Sequence, residues 1–196
     1  TPPFYQGRAL PSSGSSITAT ALVYNKAHTP TSYYSYLWKI DGVVQNGGSI
    51  RGGNTLTFTP PQFDTAPVVS VDVQNDAGET VASRSMSLPL ATPEIHFYEQ
   101  NPLRGLSPIA LSDPYIFIGD EVTLRAEGYF MSPDLLGNSI EREWKINGSK
   151  VAANAGDPYE ITLNKQGSAG NAQLSFSLSN LRQLLQSAEA KITIQF

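Results

Sequence analysis

The chain contains no cysteine. Structural disulfides and thiolate metal sites are therefore excluded, so any core must be held by packing alone. Many exported bacterial proteins also lack thiols, and the absence leans toward that class. Charge is scarce as well: Asp, Glu, Lys and Arg make up 15% of the 196 residues, with 13 basic against 17 acidic and a net charge of −4. Nucleic-acid binding needs clustered Lys and Arg, and the basic residues here form no run, which argues against such a partner. No apolar stretch approaches the roughly 18 residues of a membrane-spanning helix, so no membrane contact is expected within this segment. The sequence has no initiator Met and no signal-peptide pattern, and it runs from "TPPFY" to "KITIQF". The expectation is a mature or excised segment of an exported protein.

Catalytic motifs are missing too. There is no Gly-x-Ser-x-Gly elbow, no His-Glu-x-x-His, no phosphate loop and no dinucleotide fingerprint. The two histidines, His28 in a polar loop and His96 in an alternating strand, have no motif partner. The expectation is a protein that is not an enzyme and carries no catalytic residues and no cofactor. Calcium is the one ion considered, because paired sandwiches bind it through carboxylates and carbonyls. Its candidate ligands are Asp76 and Glu79 in "NDAGET", or Glu94, Glu99 and Asp113, but no Asp-x-Asp-x-Asp loop is present. No metal site is assigned.

What the sequence does have is a repeat. "YLWKIDGVVQ" occupies 36–45 and "REWKINGSKV" occupies 142–151. With Trp38 set opposite Trp144, "SITATALVY" (16–24) falls against "EVTLRAEGYF" (121–130), both strictly alternating. "FYQGRAL" (4–10) resembles "FYEQNPLRGL" (97–106), and "VVSVDVQ" (68–74) matches "AQLSFSLS" (172–179) in pattern. Because these matches run in one order, duplication explains them better than chance. The boundary falls near "LPLATPE" (88–94), whose prolines cannot continue a central strand. Two domains follow, 1–90 and 91–196.

Each half reads as about seven short alternating strands, near 4–7, 16–24, 34–40, 43–45, 54–59, 67–74 and 79–88, then near 94–99, 114–118, 120–130, 140–147, 158–163, 172–179 and 189–196. That spacing predicts an all-β fold of two tandem immunoglobulin-like Greek-key β-sandwiches. In "SNLRQLLQSAEA" (179–190), leucines at helical spacing after a capping Ser179 predict a short helix. In a strand, Trp38 and Ile40 share one face with Lys39 opposite, and Trp144 and Ile146 do the same around Lys145. Asp41-Gly42 and Asn147-Gly148 are turn dipeptides. The structural core residues are thus Trp38, Ile40, Trp144 and Ile146. With "GDEVTL" (119–124) leading into a second strand, the pattern resembles the immunoglobulin-like and PKD-like modules of bacterial surface proteins.

That resemblance implies a non-catalytic extracellular or cell-envelope spacer, stalk or docking segment, with a protein or cell-surface component as partner. The rival reading is a carbohydrate-binding or adhesive module attached to an extracellular enzyme. In "TSYYSYLW" (31–38), Tyr34 and Tyr36 are in phase with Trp38, which leaves Tyr33 to project outward as the speculative ligand contact. "NGS" (147–149) matches a glycosylation sequon but is also the expected turn. A Lys–Asn isopeptide bond would need a buried lysine, and Lys39, Lys145 and Lys191 fall on the face opposite the apolar residues.

Overall fold

The computed structural model describes residues 5–7, 10–24, 29–60, 66–131, 140–165, 167, 169–180 and 186–196. By contacts the chain divides into two compact units. One is Ser13–Ala91; the other is Thr92–Phe196 together with Thr1–Ser12. They are called the first and second sandwich below.

The first sandwich contains β1 (Ile17–Thr20), β2 (Ser35–Ile40), β3 (Val43–Val44), β4 (Ile50–Arg51), β5 (Thr55–Phe58), β6 (Val68–Gln74) and β7 (Thr80–Ser87). β1 and β5 form one antiparallel sheet, and the other runs β3-β2-β6-β7 with β4 also on β2. Strict alternation assigns the two faces. In β6, Val69, Val71 and Val73 are buried between partly exposed neighbours. They join Tyr36, Trp38, Ile40, Leu56 and Phe58 in one core.

The second sandwich contains β8 (Glu94–Asn101), β9 (Gly105–Leu106), β10 (Tyr115–Ile116), β11 (Glu121–Tyr129), β12 (Ile140–Ile146), β13 (Ser149–Val151), β14 (Glu160–Asn164), β15 (Asn171–Asn180) and β16 (Ala188–Gln195). Its sheets run β14-β11-β8-β9 and β10-β16-β15-β12-β13. β10 joins β16 in parallel, and the other pairs are antiparallel. Trp144, Phe176, Leu124, Leu174 and Phe97 lie at the centre of its core.

The repeated motif folds the same way in both halves. Trp38 is 6% exposed and Trp144 is 2% exposed. Each indole N–H donates to a loop carbonyl: Trp38 Nε1 to Gly53 O at 2.8 Å and Trp144 Nε1 to Pro158 O at 3.1 Å. Asp41 and Asn147 turn with positive φ, 48° and 50°, ahead of Gly42 and Gly148 at 80° and 81°. Ile40 is buried, whereas Ile146 is only partly buried against its core.

Two expectations are corrected. The helix expected over 179–190 is not what its described residues form. Ser179 and Asn180 end β15, paired with Glu141 and Ile140, and Ala188–Ala190 begin β16. The leucines that suggested the helix, at 181–185, lie outside the described residues. The strand expected at 4–7 is not seen at Tyr5–Gly7, while Phe4 lies outside the described residues. Instead the Tyr5 ring stands edge-on to Tyr129, with centroids 5.3 Å apart. Nearby in sequence, the Ser12 hydroxyl accepts a 2.9 Å hydrogen bond from the fully buried Gln186 side chain.

Truncating a well-packed buried indole leaves a cavity and typically costs about 3–5 kcal/mol. Trp144→Ala is expected to lower the stability of the second sandwich by that amount. Trp144→Phe keeps most of the volume but leaves Pro158 O without its donor, and should cost less. Calorimetric unfolding checks both, and an Ala variant that melts with the parent would refute the core assignment.

Candidate functional site

The aromatic run before Trp38 sorts as alternation requires. Tyr36 is fully buried, and its hydroxyl donates to Thr31 O at 3.1 Å. Burial pushes its phenol up from the ordinary range. Tyr34 is partly buried against the same core. Tyr33 ends a short 3-10 turn, Thr31–Tyr33, and is 54% exposed, so it is the ring of this run that faces solvent.

The carboxylates considered as calcium ligands are each engaged with a protein group. Asp76 pairs with Arg51 at 3.0 Å, and Glu79 accepts from the Asn75 amide at 2.9 Å. Glu94 faces His96 at 3.2 Å, and Glu99 accepts from the Tyr115 hydroxyl at 3.3 Å. Asp113 accepts from the Thr193 backbone N–H at 2.9 Å. Among the described residues, no three His, Asp or Glu side chains are grouped so as to hold a metal ion. His28 lies outside the described residues.

Lysines 39, 145 and 191 all reach carboxylates. Lys39 meets Asp72 at 2.9 Å, Lys145 meets Glu143 at 2.5 Å and Lys191 meets Glu189 at 3.3 Å. Asp72 also accepts from Ser83 at 2.7 Å. The hydrogen bonds from Lys39 and then Ser83 hold its carboxyl below the ordinary range, against a smaller cost of burial.

The strongest electrostatic feature was not foreseen. Arg125 on β11 meets Glu127 at 2.5 Å, Asp157 at 2.6 Å and Glu160 at 2.9 Å. Burial disfavours its charge, but the bonds to Glu127, Asp157 and Glu160 outweigh that and push the guanidinium up. Alternation in "EVTLRAEGYF" puts Arg125 and Glu127 on one face. Nothing local in the sequence signals that Asp157 and Glu160, over thirty residues on, complete the cluster. Nearby, the buried Tyr98 and Tyr129 hydroxyls are hydrogen-bonded to one another. Burial first, and then Tyr98, raises the Tyr129 phenol. Tyr98 and Tyr129 also line an open pocket of about 700 Å³ together with Tyr5, Gln6, Leu106, Ser107 and Pro108.

A third feature is an open groove of about 620 Å³ in the first sandwich, bounded by β1 and its continuation on one side and β7 on the other. Its floor is Trp38, Val69, Val71 and Val73. All eight residues of β7 are exposed. It pairs with β6 on one side, and among the described residues no strand pairs its other edge.

Both halves carry the immunoglobulin-like sandwich fold. No protein-family model matches the chain, and no curated protein matches it in sequence. Among solved structures it is similar to the three N-terminal domains of the Highly Immunogenic Outer Capsid protein (Hoc) of bacteriophage RB49. The TM-score is 0.51 at 16% identity, over 95% of this chain and 55% of that one. The chain therefore spans little more than half of that structure. Two weaker likenesses are to fibronectin(III)-like modules of Clostridium thermocellum CbhA and to SGBP-B of the Bacteroides ovatus mixed-linkage glucan utilization locus, in complex with a mixed-linkage heptasaccharide. The first has a TM-score of 0.32 at 14% identity, covering 96% of this chain and 90% of that one. The second has a TM-score of 0.32 at 14% identity, covering 98% and 45%. The likeness to the capsid protein, at this identity, bears on the fold alone.

The Asp72 carboxyl is depressed in the folded state, so its contribution to stability is full above the ordinary carboxylate pKa. That contribution disappears as pH falls through the lower folded value. Asp72→Asn should therefore lower the melting temperature of the first sandwich at pH 7. The difference from the parent should shrink on acidification below about pH 4, near the ordinary Asp value, which a pH series of melting curves would show.

Proposed function

We propose that the chain is a non-catalytic structural and interaction segment of an extracellular or cell-envelope protein, built from two immunoglobulin-like modules of the bacterial surface, PKD-like kind. Its work is geometric: rigid sandwiches hold sheet edges and loops where a protein or cell-surface partner can dock. The observation that carries this reading is β7, an edge strand eight residues long with every residue exposed. Open edges are the part of a sandwich that accepts another chain by strand addition. The repeated Trp-Lys-Ile-(Asp/Asn)-Gly stretch is used internally, with its indoles buried and its lysines paired.

The second reading is a carbohydrate-binding or adhesive module attached to an extracellular enzyme, favoured by the exposed Tyr33 ring. An exposed aromatic plane stacks on the apolar face of a sugar.

A photoreactive side chain at Val81 or Met86, both on β7, should cross-link the full chain to a surface protein of the cells or particles that carry it. The same group at Leu103, exposed in the second sandwich, should not. Equal labelling at all three positions would refute docking at β7. A glycan array gives the complementary result: hits that vanish in Tyr33→Ala would establish the second reading, and no hits would remove it.

A further inference from the structure

We propose that the second sandwich holds a binding site for a neutral oligosaccharide, on the outer face of the sheet β14-β11-β8-β9. Neither role given above places a ligand there.

Strand parity shows what sets this face apart. Phe97 lies opposite Ala126 in the β8–β11 ladder, and both belong to the core. Tyr98 on β8 and Tyr129 on β11 have the other parity, so they point away from that core. Side chains on the outer face of a sheet are ordinarily wetted, yet these two residues are 5% and 4% exposed, with their hydroxyls bonded to one another. The Tyr5 ring stands edge-on to Tyr129 and supplies a further wall. The pocket of about 700 Å³ opens among these rings, with Gln6 and the Leu106–Pro108 stretch along its rim.

The lining selects the class of ligand. It offers aromatic rings, hydroxyls and an amide, and no charged side chain. A few placed polar groups on a largely apolar surface suit a neutral molecule with C–H faces and hydroxyl edges, which describes a sugar ring. Tyr5 is the ring on which a C–H face stacks. Whichever phenol donates in the Tyr98–Tyr129 bond, the Tyr129 oxygen keeps at least one lone pair for a ligand hydroxyl. Gln6 is exposed and brings an amide that both donates and accepts. Ser107 is already fixed, its hydroxyl donating to Ile109 O at 3.1 Å and its N–H to Glu99 O at 2.8 Å. A rim set before the ligand arrives lowers the cost of binding.

The site extends beyond one sugar unit. Leu106, Ser107 and Pro108 also line a second pocket, of about 290 Å³, together with Glu99, Asn101 and Arg104. A chain crossing the shared ridge therefore brings its next unit among a carboxylate, an amide and a guanidinium. Asn101 Oδ1 accepts from the Leu103 and Arg104 N–H groups at 2.9 and 3.1 Å, so its NH₂ is what it offers a ligand. One acid and one base keep this half neutral as well, which disfavours a ligand of single charge.

Calorimetric titration of the full chain with neutral oligosaccharides of glucose, mannose, galactose and N-acetylglucosamine tests this, with choline chloride as a cationic probe of the same rings. At least one series should bind, and more tightly than its own monosaccharide. Tyr5→Ala should weaken that binding about tenfold or more, as the loss of an aromatic anchor does. Tyr129→Phe keeps the ring, removes the hydroxyl and should cost about threefold to tenfold. Gln6→Ala, at an exposed residue outside the core, should weaken it severalfold without changing the melting curve. Tyr33→Ala should leave it unchanged, which separates this site from a glycan contact at Tyr33. No binding by any series, or binding indifferent to both Tyr5→Ala and Gln6→Ala, would overturn the proposal. So would a chain that binds choline and no saccharide.

Discussion

A tryptophan indole must be buried for its apolar area and must still place its one N–H on an acceptor. In each sandwich that double requirement sets the arrangement around it. The strand carrying the indole, β2 or β12, sits against a central partner, with Trp38 opposite Val71 and Trp144 opposite Phe176. The loop leading to the facing sheet must bring a carbonyl within reach, Gly53 O in one case and Pro158 O in the other. A side chain from one sheet thereby fastens the backbone that enters the other. In a chain without cysteine this hydrogen bond ties the two sheets with no covalent link between them.

The residues around the indole show why the repeat extends to Asp or Asn. Asp41 does more than permit a turn: its N–H donates to Val68 O at 2.9 Å and its carboxylate accepts from the Val68 N–H at 2.7 Å. Asn147 makes the same pair with Gln173, at 2.8 Å in both directions. A short side chain with an acceptor oxygen that tolerates positive φ is what the position demands, and both residues satisfy it. On the opposite sheets, the Thr18–Thr57 hydroxyl contact at 3.0 Å recurs as Thr123–Thr162 at 2.9 Å. The duplication is therefore retained in hydrogen-bonded detail outside the motif that first revealed it.

Much of the fold was legible because alternation is a local signal. β6, β11 and β15 could be placed from their apolar residues alone, since a strand with one buried face writes that face into every second position. The core position of Trp38 follows from the same parity, whereas Tyr33 lies in the 3-10 turn ahead of β2, where strand parity does not reach. At its described ends the helix expected over 179–190 gives way to strand, because β15 continues through Ser179 and Asn180 and β16 begins at Ala188; the leucines between them lie outside the described residues. The placement of Tyr5 beside Tyr129 and the Arg125 cluster were not legible at all. Both join residues far apart in the chain, and neither leaves a periodic trace.

The placement of the indoles has an experimental use. The chain has two tryptophans, one in each core. Replacing either leaves a single tryptophan, so the unfolding of one sandwich can be followed by tryptophan fluorescence excited beyond the absorption of the nine tyrosines, in the intact chain. Each emitter is held against a known carbonyl, and its spectrum reports whether the strand bearing it is still fastened to the facing sheet. The residue that fastens the two sheets of each sandwich is thus also that sandwich's own optical gauge.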